Sequence, residues 1–282
     1  MLNVATRRGF TLVEIMLALG VTLFITGAMY NLLLNTQRLT RTQSARVALQ
    51  SSVRAGALIV ANELRELNSA SGGSTSQNDV LALGAHAVTY RAARGVGFIC
   101  QSAGPAVIRL ARSSFLGHRD PQPGRDEALV FVPGDSAVGS EDTWVAVTIA
   151  GVATTFACPG GGGPGITLTL SSSPSPLLLE DGTPVRVMEP MELRLYQSDV
   201  SWWLGARSVN TGEAIQPLVG PLASGGFQLE YLDRVGVPTV DRTGIRSIRF
   251  TIRAIEAAAD ATGPPLDEEL TTQVALRNSP VS

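Results

Sequence analysis

The feature that most constrains this chain is a single carboxylate at the start of a long apolar segment. Residues 15–34 are apolar apart from a few small or polar positions, and Glu14 lies directly before them, after the cations Arg7 and Arg8. At about 1.5 Å per residue, a helix over 15–34 crosses a hydrocarbon core of about 30 Å once. A carboxylate at the centre of a bilayer costs roughly 2.5 to 3.5 kcal/mol, so Glu14 needs a partner cation.

The chain supplies such a cation if it is cut between Gly9 and Phe10. The cut creates a new α-amino group at Phe10, four residues before Glu14. Before the cut, the basic residues hold the amino terminus on the cytoplasmic side, as the positive-inside rule expects. A plain signal anchor or secretory signal peptide shares the basic and apolar pattern, but it gives no account of the acid.

The segment Gly9-Phe10-Thr11-Leu12-Val13-Glu14, followed by about twenty apolar positions, resembles the prepilin-type processing site of type IV pilins and type II secretion pseudopilins. The resemblance implies that a prepilin peptidase removes residues 1–9 as a leader by cutting after Gly9, and that it methylates the new amino terminus at Phe10. It also implies that Glu14 pairs with the amine of a neighbouring subunit. Where many members of the family carry a kinking proline, this chain has Asn31.

The apolar segment continues without proline into a second helical pattern that ends near Leu67. Its apolar positions step by three or four, which is one stripe of an amphipathic helix: Leu49, Val53, Ala57, Val60, Leu64 and Leu67. Polar residues occupy the opposite face: Arg46, Gln50, Arg54, Asn62, Glu63 and Glu66. We therefore predict one helix of about 85 Å that ends at the small polar cluster beginning with Asn68, with residues 10–34 as its membrane or filament-core half and 35–70 as its amphipathic half.

Beyond the helix, short β-prone runs recur between turn signals, and Asp181-Gly182 is a hairpin signal. Residues 71–282 are predicted to form an antiparallel β-rich body packed against the amphipathic half, an α+β fold of the type IV pilin kind. The predicted strands cover 87–91, 97–100, 106–110, 128–132, 144–149, 166–170, 185–196, 201–207, 227–231, 245–255 and 271–276.

The order of motifs in the C-terminal third is similar to that of PilW-type minor pilins and J-type minor pseudopilins. The motifs are Tyr196, Trp203-Leu204, Gln216-Pro217-Leu218-Val219, residues 227–236, residues 245–252 and residues 272–278. Each motif is loose by itself, and their order along the chain carries the resemblance.

Two cysteines, Cys100 and Cys158, lie far apart and lack the spacing of a metal site. If the body is exported into an oxidising periplasm, a single disulfide is the natural expectation. The alternative is two unrelated buried thiols, because the sequence does not show how close their Cα atoms come.

No other pattern points to chemistry. His86 and His118 have no ligand-spaced companion and are interpreted as surface or loop residues. The glycine-rich run 160–165 lacks the lysine of a phosphate loop, and a calcium site at Asp233 with Asp241 lacks the EF-hand spacing. The remaining acidic segment is interpreted as a solvated turn: Asp120, Asp126 and Glu127.

These observations predict no enzyme, no cofactor and no metal, and the net charge of −2 without a basic block favours no nucleic-acid partner. The resemblance implies a minor pilin or pseudopilin that acts in filament assembly or priming. Its partners would be other pilins or pseudopilins, a prepilin peptidase, an inner-membrane assembly platform, and membrane lipid before assembly.

The resemblance places the chain in the bacterial inner membrane as a single-pass protein with a periplasmic body, and later in a periplasmic or cell-surface filament. Two alternatives remain at this stage: an adhesive or ligand-binding tip module on the same scaffold, and a membrane-anchored periplasmic enzyme. The machine also stays open between a type IV pilus, a type II secretion system and a DNA-uptake filament.

Overall fold

The computed structural model describes residues 10–69, 78–134, 142–159, 163–175, 179–256 and 265–277. The first element is a helix, α1, which spans Leu12–Arg65 in 54 residues and is therefore about 80 Å long. It ends within two residues of the predicted position. The leader with Gly9, most of the predicted stop cluster and glycines 160–162 lie outside the described residues.

The predicted apolar stripe is buried at all six of its positions, the last of which, Leu67, lies two residues beyond the end of α1, and most of the polar face opposite is exposed. Gly56 is buried on the same side as the stripe. A Cβ atom at Gly56 would lie 2.8 Å from Val219 Cγ2 and 3.3 Å from Ile252 Cδ1. The missing side chain therefore lets the helix approach two strands more closely than any other residue would allow.

Thirteen strands in two antiparallel sheets follow within the described residues. The strands are β1 Val80–Leu83, β2 Ala87–Gly104, β3 Val107–Ala111, β4 Leu116–Gly117, β5 Glu127–Val132, β6 Thr143–Ala153, β7 Gly165–Leu170, β8 Pro184–Ser198, β9 Ser201–Ser208, β10 Gln216–Leu222, β11 Phe227–Leu232, β12 Ser247–Glu256 and β13 Leu266–Ala275. A 3-10 turn, Arg112–Ser114, lies between β3 and β4.

Six of these strands close into a ring in the order β2, β3, β7, β6, β5, β8 and back to β2. Closure removes the exposed edges that an open sheet would leave. The inward-facing residues of the ring form one apolar core, drawn from all six strands and from the segment before β8: Ile99, Ile108, Leu110, Ala128, Val130, Val147, Ile149, Ile166, Leu168, Leu170, Leu179, Val185 and Val187.

The two longest strands, β2 and β8, pair with each other over eleven positions and extend beyond the ring. There the sheet continues on both sides: β1 pairs with β2, β9 pairs with β8, and β10 pairs with β9. A separate sheet has the order β11, β12, β13. Gly56 of α1 lies against Val219 of β10 and Ile252 of β12, so the helix approaches both sheets at this residue.

Most predicted strands are confirmed within one to three residues, but the predicted break between 91 and 97 is wrong. Residues 87–104 form the single strand β2, with Gly95 and Gly97 in its middle. A Cβ at Gly95 would lie 2.5 Å from Phe115 Cζ, and one at Gly97 would lie 3.2 Å from Phe115 Cδ2. These glycines accommodate an aromatic ring on the sheet and do not mark a turn.

The predicted turn at Asp181–Gly182 forms, with Gly182 at φ +87°, but the predicted hairpin does not. Leu179 and Glu180 belong to no strand, and residues 177 and 178 lie outside the described part of the chain. After the turn, the amide of Ile99 in β2 donates a hydrogen bond of 2.9 Å to the carbonyl of Thr183. The turn therefore delivers β8 to β2 and not to its own preceding segment.

The disulfide between Cys100 and Cys158 is confirmed, with a Cα–Cα distance of 5.8 Å. It joins β2 to the segment between β6 and β7. Since 58 residues separate the cysteines, the chain-entropy account gives the bond a stabilising effect of about 4 kcal/mol.

Candidate functional site

The amino terminus of α1 is closed by a reciprocal cap between Thr11 and Glu14. The backbone amide and the hydroxyl of Thr11 each donate to Glu14 Oε2 at 3.0 Å, and the amide of Glu14 donates to Thr11 Oγ1 at 3.3 Å. This is a capping box, which satisfies two backbone donors that a helix start leaves free. The sequence signal for it, threonine followed three residues later by glutamate, was present and was not used in the prediction.

The cap gives Glu14 a role inside its own chain that the sequence argument missed. Its negative charge lies in the first turn of α1, where the helix dipole favours an anion. The bonds to Thr11 use only Oε2, and Oε1 makes no hydrogen bond within the described residues. One carboxylate oxygen is thus available to a cation from outside the chain.

The apolar part of α1 is exposed at every residue before Leu34. Residues 10–33 are all exposed, and Phe10, which would be the new amino terminus, is among the most exposed side chains. An 18-residue window of the helix has a mean hydropathy of 2.1 and none of it is buried. By length and composition, α1 is a helix that can cross a membrane.

Three polar side chains within this apolar part each donate a hydrogen bond to a carbonyl of their own helix. Thr22 Oγ1 donates to the carbonyl of Ala18 at 2.8 Å, and Thr26 Oγ1 donates to that of Thr22 at 2.7 Å. Asn31 Nδ2 donates to the carbonyl of Gly27 at 3.1 Å. Because these donors have partners, they do not oppose burial of the helix in lipid or among other helices.

The body contains an arginine–carboxylate cluster that the sequence argument did not predict. Glu189 of β8 is only 2% exposed and accepts from Arg94 and Arg125 at 2.5 Å and from Arg119 at 3.1 Å. Asp126 is fully buried and accepts from Arg119 through both oxygens, at 2.6 and 2.7 Å. Although burial alone raises the pKa of Glu189, its three arginine partners lower it below the usual value.

The prediction of a solvated turn is therefore wrong for Asp126 and holds only for Asp120. Asp120 is exposed and pairs with Arg112, whereas Asp126 also accepts from the amide of Gln122 at 2.7 Å. Glu127 is half-buried and pairs with Arg91 at 3.0 Å. The carboxylate of Asp126 can be buried because Arg119 pairs with it and with Glu189 of β8. The spacing of residues along the sequence does not reveal this network.

A third buried acid, Asp79, joins the segment after α1 to the start of β1. It is 4% exposed, and its Oδ2 accepts from the amide of Asn68 at 2.7 Å, while its own amide donates to the carbonyl of Asn68 at 3.0 Å. Burial raises the pKa of Asp79 to about 6, against the opposing effects of Asn68, Arg91 and Arg186. Above that pH the side chain of Asp79 is ionised, and its burial then lowers the stability of the fold.

A cleft of about 620 Å³ lies beside Asp79, between the end of α1 and strands β2, β4 and β8. Arg94, Arg186 and Arg277 contribute cations to its lining, and Glu66 and Asp79 contribute acids. Val96, Leu116 and Met188 contribute apolar surface, and Val96 and Leu116 are directly paired across β2 and β4.

The other candidate residues do not assemble into a chemical site. His86 and His118 are exposed, as predicted, and His86 Nδ1 lies 2.7 Å from the carbonyl of Phe227. Asp233 and Asp241 each accept from amides of their own loop, Val235 and Val237 for the first and Thr243 for the second. Within the described residues, no three histidines, cysteines or acids lie close enough to hold a metal ion.

Comparison with known proteins adds no assignment. No family model matches the chain, no curated protein matches it, and no solved structure matches it. The site must therefore be interpreted from its own geometry.

Proposed function

We propose that the chain is a minor pilin or pseudopilin: a subunit that is inserted into the inner membrane, processed after Gly9 and drawn into a helical filament. The observation that carries the proposal is the exposed apolar part of α1, headed by a carboxylate with one oxygen available. A transmembrane helix of ordinary function needs no acid in this place. A helix that moves from lipid into a bundle of equivalent helices has a use for such an acid, because its carboxylate finds a partner amine only in the assembled state.

The cap on Glu14 supports this proposal physically. In the single chain, Oε2 holds Thr11 and the start of the helix, and Oε1 remains for the amine that cleavage creates on another subunit. Pairing an ammonium group with a carboxylate in low dielectric offsets the cost of keeping either charge in the apolar region. The same residue thus shapes its own helix and favours association.

The experiment that tests the proposal compares two substitutions of Glu14 with wild type. Glu14→Gln preserves the acceptor that caps Thr11 but removes the charge, since glutamine also forms a capping box. Glu14→Leu removes both. After co-expression with the other subunits, the amount of cleaved protein in sheared filaments is divided by the amount in the membrane.

We expect both variants to be inserted and cleaved and both to be incorporated at least tenfold less than wild type, because a desolvated charge pair contributes on the order of 1.5 kcal/mol or more. Incorporation of Glu14→Gln at the wild-type level would leave Glu14 as a helix cap only and would contradict the pairing role.

A further inference from the structure

The cleft beside the end of α1 has the size and composition of a binding site for a small ligand. Its volume of about 620 Å³ falls within the range of about 300 to 1,000 Å³ that such sites occupy. All of its lining residues belong to one compact unit, residues 51–255 and 267–282. Arg94 is already engaged by Glu189 at 2.5 Å and belongs to the cluster described above.

Two arginines of the cleft differ from Arg94, because no carboxylate within the described residues lies within 4 Å of them. Arg186 is half-buried, and its guanidinium carbon lies 4.4 Å from the centre of the Trp144 ring. This stacking orients the guanidinium and leaves its edge donors for another partner. Arg277 is exposed, and among the described residues its one hydrogen bond runs from its backbone amide to the carbonyl of Leu67 at 2.9 Å.

We propose that this cleft binds an amphipathic carboxylate: a ligand whose carboxylate is held by Arg186 and Arg277 and whose apolar portion packs on Val96, Leu116 and Met188. A planar guanidinium matches a carboxylate in two parallel hydrogen bonds. The apolar residues give the rest of the ligand a surface to cover, and Leu116 is otherwise 72% exposed.

The acids of the cleft select a singly charged group over a doubly charged one. Asp79 and Glu66 contribute two negative charges to the same lining. A phosphate monoester carries a charge of about −1.5 to −2 at neutral pH, so it is repelled more strongly than a carboxylate. The cleft is thus distinct in chemistry from a phosphate site.

The test uses the full chain in lipid nanodiscs and fluorine NMR of three probes that differ only in their polar group. The probes are para-trifluoromethyl-benzoate, the phosphate ester of para-trifluoromethyl-phenol, and the neutral para-trifluoromethyl-benzamide. The variants are Arg277→Gln, Arg186→Gln and Asp79→Asn. Arg234→Gln is the matched control, because Arg234 is also exposed and lies outside the cleft.

We expect saturable binding of the benzoate, weaker binding of the phosphate ester and no saturable binding of the benzamide. Each cleft arginine substitution should weaken benzoate binding about tenfold or more, since a hydrogen bond to a charged group is being lost. Asp79→Asn should strengthen it about fivefold by removing a competing charge, and Arg234→Gln should leave it unchanged.

Three results would overturn the proposal: no saturable benzoate binding to wild type, equal binding of benzamide, or equal weakening by Arg234→Gln. Tighter binding of the phosphate ester than of the benzoate would overturn the assignment to a carboxylate. None of these results depends on whether the chain enters a filament.

Discussion

The two parts of α1 are equally helical, but only the second, amphipathic part has a buried face. From Leu49 onward one stripe of apolar residues recurs at intervals of three and four, and every residue of that stripe is buried. Before Leu34 the apolar residues surround the helix, and all those before residue 34 are exposed. The pattern of apolar residues, and not their number, therefore distinguishes the part of the helix that is buried within the chain from the part that is exposed.

The difference is also visible in the small residues. Gly56, in the buried part, lies so close to Val219 that no side chain fits without displacement. Gly27, in the exposed part, has no atom within 4 Å of the place where a Cβ would be. A glycine in a helix costs about 1 kcal/mol relative to alanine, and only the first of these two is compensated by a contact in this chain.

The largest expected effect comes from breaking the buried stripe. Leu64→Ala should lower the free energy of unfolding of the body by about 2 to 5 kcal/mol, because Leu64 is 0% exposed and its removal leaves a cavity. Leu58→Ala makes the same chemical change on the other face, where the side chain is 66% exposed, and should cost less than about 0.5 kcal/mol. Urea unfolding of the full chain in micelles, followed by tryptophan fluorescence, measures both. Equal losses would contradict the burial of the stripe.

The next effect concerns the acid that holds the end of α1. The pKa of Asp79 is about 6 in the folded chain and about 3.9 in an unfolded one, so the folded state binds the extra proton between these values. Its contribution to stability is therefore lost as pH rises from about 4 to about 6. Asp79→Asn should raise the free energy of unfolding at pH 7.5 by up to about 3 kcal/mol, since asparagine still accepts from Asn68.

Glu189 has the opposite effect on the pH dependence of stability. Its pKa is lowered by its arginine partners, so its contribution is present above its unfolded pKa and is lost as pH falls through the folded one. The test of the Asp79 prediction is the urea midpoint of wild type and of Asp79→Asn, measured at a series of pH values from about 4 to 7.5. If the variant is less stable than wild type at pH 7.5, the charged form of Asp79 is stabilising and the account of its burial is wrong.

A smaller effect is expected from filling the close approach at Gly56. Gly56→Ala should cost about 1 to 3 kcal/mol, because the new methyl group would press on Val219. Gly27→Ala, in the exposed part, should leave the unfolding midpoint of the body unchanged. The same urea titration measures both variants, and a stabilising effect of Gly56→Ala would show that the helix can move away at no cost.

The smallest effect is expected at the start of the exposed part. Thr11→Val removes the hydroxyl of the cap and should destabilise the first turn of α1 by about 1 kcal/mol. Thr11→Ser retains the hydroxyl and is the control. Hydrogen exchange of the first-turn amides in micelles measures the effect, and equal protection in both variants would show that the cap is dispensable.

The sequence predicted the helix, its buried stripe and most strands, because these depend on local periodicity. It did not predict β10, whose residues include Pro217 and Pro221, since proline is acceptable only on an edge strand and the edge is a property of the whole sheet. It also missed the burial of Asp126, which depends on Glu189 more than sixty residues away. The closed ring of strands likewise rests on the pairing of β2 with β8, which no local signal specifies.

The candidate site also combines features specified by local sequence with features that depend on distant residues. The capping box at Thr11 and Glu14 is local and was visible in the sequence, whereas the cleft with Arg186 and Arg277 brings together residues from distant parts of the chain. Only the acid at Glu14 was identified beforehand, because its position in an apolar segment is unusual by itself.

The most direct test of the central claim is the intact mass of the chain recovered from the membrane after co-expression with a prepilin peptidase. The account predicts a chain that begins at Phe10 and carries one added methyl group on its amine, and an uncut chain when Gly9 is replaced by valine. A wild-type chain that still begins at Met1, or one that is cut near Ala28, would contradict it.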